Sequence, residues 1–312
     1  MPLAAGAWFD MHDESLTKFW SLIHSTVQEF WGITEPHIEE SAIRNNIPIE
    51  LYLYSELGLS TFSLKDFDKR DPFTNPEQFE RVFVRLNVQG WIEPRVDGTY
   101  RVTEKAREGV RHIVHMGDTQ LLDFKSIVVR DLARLADLLK RVTAECGVAP
   151  EPPEKWAIRV RFRVADEYSP LIIQIRELLL DLFAYRDDAH LCASRRHFNQ
   201  AGIIWLVLGS LEDGQAVNAK QMAERTTFRG YGEYEYEIAI QAAVELGWAE
   251  PAPYPNAFCL TEQGRQLRAE AERLTNEYFY APWSVLTLRE LDELYALLTR
   301  LRDGLNAYRK TR

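Results

Sequence analysis

The chain has 312 residues, 46% apolar and 27% charged, which is the composition of a soluble globular protein long enough for two domains. Its apolar runs, such as residues 203–208, are too short to cross a bilayer. The first ten residues lack the basic start of a secretory signal, and three scattered cysteines (Cys146, Cys192, Cys259) fit a reducing compartment, so a cytoplasmic location is expected. Net charge is −10, with 17 Lys+Arg against 23 Asp+Glu in residues 1–150 and 20 against 24 in 151–312; neither half is basic, which argues against broad phosphate contact.

In chain order, the periodicity predicts an aromatic helix over 15–30 and a second helix over 47–57. Ser63 then caps a short helical turn, and Asn75-Pro76-Glu77 opens a helix that stops at Gly90. Asp97-Gly98 sits between alternating residues and predicts a two-stranded hairpin with a type I′ turn. Helices over 103–117 and 126–142 follow, and 147–153 is rich in Gly, Pro and Ala. Residues 156–164 alternate apolar with Arg and read as one half-buried strand. Ser169-Pro170 opens an apolar helix to about 183, the polar patch Arg186-Asp187-Asp188 interrupts, and a second helix covers 198–211. Asn218 caps 219–224, a helix over 233–246 ends at Gly247, and short strands at 248–251 and 258–260 flank a Pro/Asn turn. Helices from Thr261 to about 279 and from Thr287 to about 302 close the chain.

This order occurs twice. Gly90-Trp91-Ile92-Glu93-Pro94, Val102-Thr103-Glu104 and the run from Arg130 to Arg141 return as Gly247-Trp248-Ala249-Glu250-Pro251, Leu260-Thr261-Glu262 and the run from Arg289 to Arg300. The offsets are 157, 158 and 159, so single-residue gaps separate the copies. Three helices, a hairpin and flanking long helices describe a winged helix-turn-helix. With Leu260-Thr261-Glu262-Gln263-Gly264-Arg265 and the closing leucine-rich helix, each copy resembles the MarR family of bacterial regulators. The resemblance implies a mainly α fold with small β-hairpins, in which two tandem winged helix-turn-helix units form a covalent pseudo-dimer around shared terminal helices. The expected units are 1–146 and 166–312, joined by a linker at 147–165.

The resemblance also implies double-stranded DNA as partner. Candidate contacts are Gln78, Arg81, Arg85, Arg95 and Arg101 in the first copy and Lys220, Arg225 and Arg229 in the second. The second copy departs from the family pattern: its reading helix opens Glu233-Tyr234-Glu235-Tyr236-Glu237, and its wing at 252–257 has no Lys or Arg. Two equal half-sites are therefore not expected, and a winged-helix module or ligand sensor that no longer binds DNA, with a protein partner on the acidic second unit, is the alternative reading. Family members often bind small aromatic ligands, for which Trp20, Trp31, Tyr54 and Trp205 are the candidates, although aromatic residues at helical spacing also read as core. His112 and His115 at i, i+3 read as structural or surface residues rather than a metal site. No catalytic signature, metal spacing or phosphate loop occurs, so neither an enzyme nor a cofactor is expected.

Overall fold

The structure is a computed structural model that describes residues 16–53, 55–198 and 202–311. It is mainly helical with two small antiparallel sheets. In chain order the first half runs α1 (Lys18–Arg44), α2 (Glu50–Leu53), β1 (Thr61–Phe62), α3 (Leu64–Arg70), α4 (Pro76–Val88), β2 (Ile92–Pro94), β3 (Tyr100–Val102), α5 (Glu104–Asp118) and α6 (Val129–Val148). After the short α7 (Ala157–Val160), the second half runs α8 (Leu171–Phe198), α9 (Gly202–Glu212), α10 (Ala219–Arg225), α11 (Glu233–Glu245), β4 (Ala249–Pro251), β5 (Phe258–Leu260), α12 (Glu262–Tyr280) and α13 (Leu288–Arg309). From α3 onward each element of the first half has a counterpart in the second.

The junctions of the two halves share their geometry. Gly90 and Gly247 both hold φ +74, a left-handed conformation open to glycine, and so end α4 and α11. The next amide folds back in each case, from Trp91 to the Leu86 carbonyl and from Trp248 to the Ala243 carbonyl, both at 2.9 Å. Thr103 and Thr261 cap the following helices, their hydroxyls accepting from Ala106 at 3.3 Å and Gly264 at 3.0 Å.

The described fold divides into two compact units, each of which draws on both halves of the sequence. One comprises Met1–Ser60, Val102–Ala189 and Asn276–Arg312; the other comprises Thr61–Arg101 and His190–Thr275. The first unit is built on the long helices. Its core joins Phe19, Ile23, Val27 and Phe30 of α1, Leu135, Leu139 and Val142 of α6, Ile175, Leu179 and Leu182 of α8, and Leu294, Leu298 and Leu301 of α13. The second holds α3, α4, α9, α10, α11 and both hairpins.

Four local expectations are corrected. The helix expected over 15–30 continues as α1 to Arg44, straight through Pro36. An interior proline costs about 3 kcal/mol, whereas Ile33, Ile38 and Ala42 beyond or beside it are all buried. At about 1.5–3 kcal/mol for each large side chain, burial outweighs the lost bond. Likewise α8 does not stop at its polar patch. Arg186 lies 4.6 Å from the Trp20 ring centroid and donates to Asn276 at 2.9 Å, so a helix interior suits it.

The strand expected over 156–164 is absent. The Asp188 carboxylate of α8 accepts the amides of Trp156 and Ala157 at 2.8 Å and of Ile158 at 3.1 Å, turning this stretch into α7. Of the arginines that suggested a solvent face, Arg161 points inward and donates to Asp181 at 2.7 Å, while Arg163 stays exposed and reaches the same carboxylate at 3.0 Å. Finally, the first hairpin is wider than a type I′ turn. Gly98 holds φ +79, but among the described residues only Asn46 and Asn256 have positive φ outside glycine. Arg95 to Gly98 forms a turn closed by the Gly98 amide on the Arg95 carbonyl at 3.1 Å, and Asp97 accepts from the Thr99 amide at 3.0 Å.

Candidate nucleic-acid interface

The two candidate reading helices, α4 and α11, belong to the second compact unit, which carries fifteen Lys/Arg against eighteen Asp/Glu. In the first head, Ser63 and Asp66 close a capping box on α3, and Asn75 caps α4 by accepting the Glu77 amide at 3.0 Å, with Pro76 in the first turn. Phe79, Val82, Phe83 and Leu86 of α4 are buried. Phe79 and Phe83 meet Phe67 at 5.0 and 4.8 Å between ring centroids, and Phe83 meets Phe62 at 5.3 Å. This packing fixes the roll of α4 and leaves Arg81, Val84, Arg85 and Val88 facing outward. The wing stands on a three-stranded sheet of order β1-β3-β2, with Phe62 paired to Tyr100.

In the second head, Asn218 caps α10, accepting from Gln221 at 3.0 Å. Glu235 reaches back to the Gly232 amide at 3.0 Å to start α11. Tyr236, Ala239, Ile240 and Ala243 are buried, which turns Glu233, Tyr234, Glu237, Ile238, Gln241 and Glu245 toward an open groove. Burial pushes the Tyr231 hydroxyl up to about 12 and, with the Glu80 charge adding to it, raises the Asp68 carboxyl.

The eight candidate DNA contacts fall into three groups. Arg81, Arg85, Arg95 and Arg101 are exposed on α4 and its wing. Their surroundings are mixed in sign: Arg81 donates to Gln78 at 2.9 Å with Glu77 at 3.7 Å, Arg95 has Asp97 at 3.6 Å, and the Arg101 Nε donates to Glu93 at 3.1 Å. Exposed pairs of this kind contribute about 0–1 kcal/mol and exchange readily for phosphate. Lys220 and Arg225 lie on α10, the first at the rim of the α11 groove and the second hydrogen-bonded to Gln215.

The third group, Gln78 and Arg229, is held at a contact between the two heads. Arg229 Nη1 donates to both Asp71 carboxylate oxygens at 2.8 Å and lies 2.9 Å from the Thr74 hydroxyl. The Asn75 amide donates to the Arg229 carbonyl at 2.8 Å, and the Asn75 side chain donates to the Gly230 carbonyl at 3.2 Å. Gly230 holds φ +73 directly against the Gln78 side chain; a Cβ there would come within 2.8 Å of it. Phe73 meets Phe198 at 5.7 Å. The turn before α4 thus packs on the turn before α11, and Arg229 faces a carboxylate rather than solvent. Asp71, Thr74 and Asn75 were not candidates from the sequence, because nothing local pairs Asp71 with a residue 158 positions away.

The aromatic candidates are not gathered into one site. Trp20 and Trp31 both pack on Phe183 in the first unit, at 4.7 and 5.6 Å. Trp205 belongs to the second unit, stacked on His197 at 5.9 Å with Arg268 at 4.7 Å from its ring. Tyr54 lies outside the described residues. Among the described residues no group of three or more His, Cys, Asp or Glu is placed to hold a metal ion, and no helix is long and apolar enough to cross a membrane.

Residues 184–309, the greater part of the second half, match a helix-turn-helix family. No curated protein and no solved structure matches the chain.

Proposed function

We propose that this protein is a cytoplasmic DNA-binding transcriptional regulator, a MarR-like tandem duplication whose units 1–146 and 166–312 form a pseudo-dimer within one chain. The observation that carries the reading is the recurrence of one element order in both halves, with a helix-turn-helix match over 184–309. In this reading the heads are unequal. The first engages duplex DNA through Arg81 and Arg85 on the exposed middle of α4 and through Arg95 and Arg101 on the wing. The start of α4 is covered by the Thr227–Arg229 turn, so contact comes from later turns of the helix than in an open reading head. The second head, with Glu233 and Glu237 on its reading helix and no base on its wing, contributes little to phosphate binding. Small-molecule control, implied by the family resemblance, would act at the Trp20–Phe183–Trp31 cluster.

The test is fluorescence anisotropy on random and promoter-proximal duplexes across a salt series. Binding should weaken steeply with salt, and absence of binding to every duplex at low salt overturns the proposal. For the ligand, benzoate should quench tryptophan emission and raise the melting temperature; no change in either removes that part.

A further inference from the structure

The exposed face of α11 carries two parallel rows of side chains at four-residue spacing. One row is Glu233, Glu237, Gln241 and Glu245, and the other is Tyr234 and Ile238. The first spans about 18 Å, roughly three helical turns. Tyr234 and Ile238 are 71% and 53% exposed, on a face their own fold leaves open. Both rows line a groove of 850 Å³ in which, among the described residues, Lys220 is the only basic side chain. Capping explains Glu235, which bonds the Gly232 amide; it does not explain an acidic row that runs on to the last turn.

We infer that this groove is a docking site for a basic amphipathic helix of a partner protein. A helix carrying Lys or Arg along one stripe and leucine-like residues along the next presents the two rows complementary to those of α11. Duplex DNA offers the wrong charge and no apolar row. A second copy of this chain carries an excess of acid that opposes such pairing. The inference is independent of the first head reading DNA, and neither result decides the other.

The experiment uses the full chain and a synthetic Leu/Lys amphipathic helix of about 14 residues, about 20 Å long. A peptide of the same composition, scrambled to lose its stripe, is the control. The amphipathic peptide should bind at least tenfold tighter than the scrambled one. Glu233→Gln with Glu237→Gln, and separately Ile238→Asp, should each weaken it at least tenfold while leaving the melting temperature and first-head DNA binding unchanged. These are exposed positions, and the glutamine pair keeps side-chain size, so folding is preserved. Equal binding of both peptides, or binding indifferent to these substitutions, overturns the inference. So does competition for the groove by duplex DNA, or a concentration-dependent dimer abolished by the same glutamines.

Discussion

The Asp71–Arg229 contact gives a quantitative prediction. Arg229 Nη1 has three acceptors within 2.9 Å, but its two hydrogens satisfy two of them well at once. The side chains are 24% and 19% exposed, so solvent screening weakens the pair less than it does an open surface bridge. Charge-assisted bonds are worth about 1.5–3 kcal/mol each. Asp71 is not orphaned when Arg229 is removed, because the Phe73 amide and Thr74 hydroxyl still donate to it at 3.2 and 2.8 Å. Arg229→Ala and Asp71→Ala should therefore each cost about 2 kcal/mol, and the double variant about 2.5, a coupling of about 1.5 kcal/mol. Urea denaturation of the four proteins measures the cycle. The Asn75 amide, which donates across the contact to the Arg229 carbonyl, should exchange its hydrogen about tenfold faster in either single variant. Single-variant costs that add to within about 0.5 kcal/mol would refute the pair as an energetic link.

Three further outcomes follow from the structure. Gly264→Ala should destabilise the protein by about 2–3 kcal/mol, read as a lower melting temperature, because a Cβ there overlaps the Trp248 carbonyl; an unchanged melt would show that α12 can shift away. Arg85→Ala should weaken duplex binding and reduce its log-log salt slope by about one, whereas Arg225→Ala should leave the slope unchanged. Glu290 is held down at about 2 from its ordinary 4.5, mainly by hydrogen bonding to Arg141 and then by the Thr287 amide. A carboxylate depressed in the folded state stabilises fully above the unfolded value and loses that contribution as pH falls through the folded one. The stability advantage of the wild type over Glu290→Gln should accordingly be constant above about pH 4.5 and shrink toward pH 2 in acid melts; an advantage that does not change with pH would show that the Arg141 contact is not felt.

Much of the secondary structure was legible because its determinants are local. Ser63 and Asn218 occupy the caps expected of them, Asn75, Thr103 and Thr287 stand at the helix starts expected there, and Gly90 and Gly247 end their helices with the left-handed geometry that glycine permits. The misread segments owe their conformation to distant partners. The first helix was expected to end near Phe30, yet it runs on through Pro36, where Ile38 packs against Gly117 of α5, which has no Cβ to obstruct it. Arg186 to Asp188 looked like a loop, yet Arg186 meets Trp20, and Asp188 caps a segment 30 residues earlier. In the candidate site, the outward face of α4 and the acidic character of α11 could be read from burial periodicity and composition. Which arginine would be held by the acid of another turn could not, since the Asp71–Arg229 pair joins residues 158 positions apart.

That placement bears on partner choice. Where a symmetric dimer packs one turn on its own copy, each residue meets the same set of residues, so an acid opposite a base requires both in every turn. At the positions that meet, neither turn here has both. The first offers Asp71 without a neighbouring Arg at 72–74, and the second offers Arg229 without an Asp at 226–228. Two first halves brought together would leave Asp71 with no guanidinium opposite, and two second halves would leave Arg229 with no carboxylate. If the proposed pseudo-dimer holds, the two halves expressed as separate polypeptides should pair with each other in preference to themselves.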